Sequence, residues 1–281
     1  MNTALRSLLL LPLAALIACG SSAPAVGGIA PASGDYFLSV APVSGSAASS
    51  FSGNLYISGT SVSGSFIYTN ANSSCSGQSF PVTGTINSTG TLMSLSSSAF
   101  AGSLSGNTAT ITLQLPLIAY TSNNYSTTGT AQIAAGTSGT NCALASSTLT
   151  AQYLQPFTGS WIGSVTGPVS GTSTVTGSVT LIVSEAIPQT LATSTSAAGL
   201  IPTTGSLAFN GPSCSFSTAI ALSGQVSGYT LQLNQVVSAP RSPVIVSASE
   251  TTSPVTFNFL IPSSASVTCP AGAYSGTIAP Q

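Results

Sequence analysis

The chain of 281 residues reads as an all-β protein, built from two tandem antiparallel β-barrel or β-sandwich units. Three observations predict this. Apolar residues recur at every second position, the period of a strand with one buried face. Clusters of Gly, Asn, Ser and Pro interrupt these runs at about the 8–12-residue spacing of sandwiches and barrels. Four sequence landmarks also occur twice, in the same order. Beyond the N-terminal segment, no stretch carries the apolar pattern of an amphipathic helix.

The strands follow from parity. Phe80, Val82 and Ile86 share one face before the turn Asn87-Ser88-Thr89-Gly90. Ile111, Leu113, Leu115 and Leu117 alternate with Thr110, Thr112, Gln114 and Pro116. Val175, Val179, Leu181 and Val183 share a face with Gly177, and Val255, Phe257, Phe259 and Ile261 form another set.

The landmarks argue for an internal duplication. SGDYFLSV (33–40) aligns with TGSWIGSV (158–165), which sets Tyr36 opposite Trp161. SGSFIYTNANSSC (63–75) aligns with TGSLAFNGPSC (204–214), GTLMSL (90–95) with GYTLQL (228–233), and CALASSTLTAQ (142–152) with CPAGAYSGTIA (269–279). Two domains result, 34–155 and 156–281, each long enough to bury a core. The joint near YLQPFTG (153–159) is short, so the units are expected to touch.

Residues 1–18 have the layout of a secretory signal, with Arg6 before the apolar run 7–18. A spanning helix needs about 20 apolar residues, so this short run is read as a cleaved leader. Leu16-Ile17-Ala18-Cys19 resembles the lipobox of bacterial lipoproteins. The resemblance implies that Cys19 is lipidated and becomes the mature N-terminus. With Gly20 after it, rather than the aspartate that holds enterobacterial lipoproteins at the inner membrane, it implies attachment to the outer membrane, periplasmic or surface-facing. Residues 19–33 are then the lipidated N-terminus and a flexible tether of small residues.

Gly34-Asp35-Tyr36 and Gly159-Ser160-Trp161 resemble the strand starts of lipocalin and avidin barrels. The Gly/Ser/Thr texture resembles that of uncharacterised β-repeat lipoproteins, a likeness that implies no activity. Trp161 is expected in a core under a barrel end. Barrel and sandwich both remain open at this point.

Composition excludes whole mechanisms. Charged residues make up 2% of the chain, against about 25% in a typical soluble protein. Beyond the leader the only cation is Arg241, the acids are Asp35, Glu185 and Glu250, and there is no histidine or lysine. One arginine cannot neutralise a phosphate backbone, so nucleic acid is excluded as a partner. Histidine-based triads, Ser-Lys pairs and P-loops are excluded likewise. The cysteines lie too far apart for a zinc site, and no cofactor or metal is expected. Glu185 with Glu250 is the one pair left for a two-carboxylate hydrolase. The plainer expectation is two solvated carboxylates near loop ends, with Arg241 a surface charge.

Export would place the remaining cysteines where disulfides persist. Equivalent positions in the two copies pair Cys75 with Cys142 and Cys214 with Cys269. The function expected is that of a non-enzymatic, lipid-anchored envelope protein, structural or adhesive. Its partner is the membrane, through the anchor; whether a neutral small ligand, a glycan or an envelope protein joins it is left open by the sequence. The alternative is a module binding a small neutral ligand or glycan in a barrel or sandwich cavity.

Overall fold

The structure, a computed structural model, describes residues 28–42, 48–70, 76–97, 107–119, 125–134, 143–170, 173–186, 199–238, 240–265, 267 and 269–281. The leader, Cys19, Cys75 and Cys142 lie outside the described residues, as does their part in the expected lipidation and pairing.

The first unit contains β1 (Gly34–Val40), β2 (Ser49–Ser58), β3 (Ser61–Asn70), β4 (Gln78–Ile86), β5 (Leu92–Ser97), β6 (Thr108–Gln114), β7 (Ile118–Ala119), β8 (Tyr125–Ala134) and β9 (Leu144–Leu154). The second contains β10 (Gly159–Ser170), β11 (Ser173–Glu185), β12 (Ile201–Asn210), β13 (Ile220–Ser227), β14 (Thr230–Gln235), β15 (Ile245–Ser249), β16 (Val255–Ile261) and β17 (Gly272–Pro280). There is no helix among the described residues.

Both units are closed barrels, which decides between barrel and sandwich. In the first, β6 pairs with β8 and β9 returns to β1, so eight strands close and β7 is a two-residue appendage on β8. In the second, β17 returns to β10, with Trp161 opposite Pro280. Closure leaves no edge among the sixteen barrel strands. It also explains why alternation is so regular: every strand has one face inside and one outside.

Eight strands enclose a space that side chains can fill, or that can hold one small ligand. Here side chains fill it. Tyr36, Phe51, Phe66, Phe80 and Met93 are fully buried in the first barrel. Phe209, Phe257, Phe259 and Tyr274 pack into the second, with Phe259 and Tyr274 stacked at 4.5 Å.

The four landmarks fall on the first, third, fifth and last barrel strands of both copies. The equivalence reaches individual bonds. The Tyr36 hydroxyl donates to the Ala32 carbonyl at 2.7 Å, and the Trp161 indole N–H donates to the Phe157 carbonyl at 2.6 Å, each four residues back. Trp161 is a core residue, its ring packed on Phe157. The chain is a tandem duplication of one barrel.

Two expectations need correction. The strand read over 110–117 stops at Gln114, because Leu115-Pro116 bend away; proline has no N–H for the ladder. Leu117 stays buried and instead forms a bridge with Ile29, N–H to O at 2.8 and 3.0 Å in the two directions. The flexible tether read over 19–33 is therefore too long, since Ile29 and Ala32 already pack on the first core.

In the second barrel, Cys214 is disulfide-bonded to Cys269. The bridge ties the β12–β13 connection to the β16–β17 connection. It sits at one end of the barrel, over the cluster of Phe209, Phe216 and Phe259.

Candidate functional site

Alternation makes Tyr36, Leu38 and Val40 the inward residues of β1 and leaves Asp35, Phe37 and Ser39 on the outer face. Outer-face residues of a barrel normally meet water. One cross-strand row does not. Leu154 on β9, Asp35 on β1 and Asn54 on β2 are register partners, and they are 1%, 4% and 2% exposed. What covers them is the end of the second barrel opposite its disulfide.

Among the described residues, hydrogen bonds and one ring pair cross this seam. The Gly199 N–H donates to Ser65 Oγ at 2.6 Å, and Asn54 Nδ2 reaches the Leu200 carbonyl at 3.5 Å. The Ser52 and Ser227 hydroxyls meet at 3.2 Å, and the Phe37 and Tyr229 rings lie 5.0 Å apart. Glycine is required at two of these points. Gly228, in the β13–β14 hairpin, has φ +54, and a Cβ there would lie 3.3 Å from Phe37 and Ser52. Gly199 has φ +75, and its Cβ would come within 2.5 Å of Ile67. Both conformations are left-handed, which disfavours any residue with a Cβ.

The seam gathers every carboxylate side chain of the protein. Asp35 comes from β1, Glu185 from the end of β11, and Glu250 from the turn between β15 and β16. Asp35 is sealed, and neither of its oxygens has a hydrogen-bond partner. Burial, then the nearby charges of Glu185 and Glu250, push its carboxyl well above the usual carboxylate range. The Tyr36 N–H pulls the other way, more than Glu250 pushes, and the Gly228 N–H adds a smaller pull, but burial prevails.

Glu185 and Glu250 are partly exposed. Burial lifts Glu185 to about 7, against the opposing hydrogen bond that its Oε1 accepts from the Phe157 N–H. Burial, reinforced by the charge of Glu185, lifts Glu250 to about 7. Tyr153, at the rim of the first barrel, is raised by burial and then by Glu185.

The expectation of two solvated loop carboxylates is thus wrong. Glu185 and Glu250 are brought together and shielded, and Asp35 joins them. Sequence reasoning missed Asp35 as a site residue. One signal was available: its counterpart in the second copy is Ser160, which is only half-buried and donates to Gln281 at 2.9 Å. An acid stands only where the outer face is covered.

Arg241 is exposed on the β14–β15 connection and is not among the charges acting on the three acids. Among the described residues, no group of three or more His, Cys, Asp or Glu side chains is placed to hold a metal ion. No helix among them is long and apolar enough to cross a membrane.

Fold and site together define a two-barrel protein whose halves meet across a cluster of acids. Comparison with protein-family models, curated proteins and solved structures gives no match.

Proposed function

We propose that this chain is a lipid-anchored protein of the bacterial outer membrane, non-enzymatic, with a structural or adhesive role. The observation that carries the reading is that both barrels are filled by their own side chains, so the outer surface is what the protein offers to partners. That surface is rich in hydroxyls, as in the exposed Thr112–Thr130 pair at 2.6 Å. With one cation it has little means of steering a charged ligand. The Leu16–Cys19 box supports the anchor, since two or more acyl chains hold a protein stably on a bilayer.

Cys19→Ser should release the protein from the membrane fraction with its β-rich circular dichroism intact. Native mass spectrometry of protein taken from its own envelope should show an acylated chain without a small molecule. A stoichiometric neutral ligand or glycan would replace this reading with that of a binding module.

A second reading, a two-carboxylate hydrolase, draws on the convergence of Glu185 and Glu250, since glycosidases pair an acid of raised pKa with a second carboxylate. It stands second because Asp35 is sealed and Glu185 is already engaged by a backbone N–H. Activity on neutral glycans that disappears in Glu185→Gln would put it first.

A further inference from the structure

A carboxylate buried without a hydrogen bond or counter-charge is expensive, and such groups take up a proton instead. Asp35 is in this position, and the cause is geometric. Its side chain points out of the first barrel into the face that the second barrel covers. It would be solvated if the barrels parted.

Beyond the Tyr36 and Gly228 N–H groups, whose pull burial outweighs, the described groups that face it offer no compensation. Glu185 from β11 and Glu250 from the β15–β16 turn are like charges. Tyr153 from β9 is a neutral phenol, and the β13–β14 turn brings the Gly228 N–H and the Tyr229 ring. Asn54 on β2 is turned to the Leu200 carbonyl. The one cation of the mature chain is elsewhere.

We propose that the seam between the barrels is an acid-sensing latch, shut while Asp35 is protonated and released when Asp35 ionises beside Glu185 and Glu250. The proposal stands apart from the anchoring and the envelope role, since it needs only the described barrels. Among the described residues, the polar contacts that hold the seam shut are between neutral groups, so ionisation brings charge to a joint built without it.

The direction follows from linkage. All three acids are raised in the docked state and return toward the ordinary carboxylate value of about 4 when exposed. Docking is therefore strongest below about pH 4. It weakens as pH climbs through the window to about 7 for Glu185 and Glu250, and as Asp35, whose carboxyl is held well above the usual carboxylate range, gives up its proton. Each pH unit in the window weakens docking by up to about tenfold per ionising group. The three titrate as a coupled set.

The test is small-angle neutron scattering of the full chain in contrast-matched detergent, at pH 4.5 and 8.5, with far-UV circular dichroism alongside. The wild type should be compact at pH 4.5 and extended at pH 8.5 with unchanged circular dichroism, while Asp35→Asn stays compact at both. Equal dimensions of the wild type at both values would overturn the proposal, as would expansion of Asp35→Asn like the wild type or loss of β signal at pH 8.5. Should Asp35→Asn fail to fold, Glu250→Gln serves. Removing a like charge should move the expansion midpoint to higher pH, and an unmoved midpoint counts against the latch. Millimolar calcium that keeps the wild type compact at pH 8.5 would also overturn it, showing a bound cation rather than a proton to be the closing element.

Discussion

Removing the Cys214–Cys269 bridge, as the double variant Cys214→Ala/Cys269→Ala, should destabilise the second barrel alone. The bridge spans 55 residues of chain and encloses β13 to β16, half of the strands of that barrel. In the chain-entropy account, a loop of that length frees roughly 4 kcal/mol of denatured-state entropy when it is opened. Against the 5–15 kcal/mol typical of a domain, that is a large share. With a urea slope of about 2 kcal/mol per molar, the midpoint should fall by about 2 M. The chain is suited to the assay because its one tryptophan, Trp161, is in the core of the second barrel. Trp fluorescence therefore follows that barrel only, while far-UV circular dichroism follows both. A fluorescence midpoint corresponding to less than about 1 kcal/mol of loss would refute the entropic reasoning. An equal shift of the first barrel's transition would refute the independence of the two cores.

Phe259→Ala should cost about 3–5 kcal/mol, because it removes the ring stacked on Tyr274 and leaves a cavity inside a closed wall. Its fluorescence midpoint against urea checks this, and a loss below about 1.5 kcal/mol would mean that the barrel collapses around the gap. Gly228→Ala should cost roughly 1–2 kcal/mol from the left-handed backbone alone, and its Cβ, 3.3 Å from both Phe37 and Ser52, should press the hairpin away from the first barrel. The variant is expected to scatter as an extended particle even at pH 4.5; a compact one would show that the hairpin tip does not set the fit of the seam.

The fold was largely legible because so few residues are ambiguous. Val175, Val179, Leu181 and Val183 are all buried, as are Val255, Phe257, Phe259 and Ile261. A strand buried on one face states its parity directly. Closure was not legible: the pairing of Trp161 with Pro280 and of Asp35 with Leu154 joins distant segments, and a sandwich would carry the same alternation. The seam was hidden for a related reason. Parity places Asp35 and Asn54 on an outer face, where serine and threonine sit elsewhere in this chain, and parity within one barrel holds no information about a second barrel resting on that face. Glu185 and Glu250 read as loop charges because each is at a strand end, and only docking brings those ends to Asp35.

The bridge between Ile29 and Leu117 sets an altitude for the protein. In the anchored form proposed above, only ten residues run from Cys19 to Ile29. Fully extended, they reach at most about 35 Å. The first barrel is then confined to a layer just above the headgroups, however mobile the leash. Only the second barrel, joined after Leu154, can lie farther out. In that anchored form, a partner that meets this protein at a distance from the membrane would meet the second barrel.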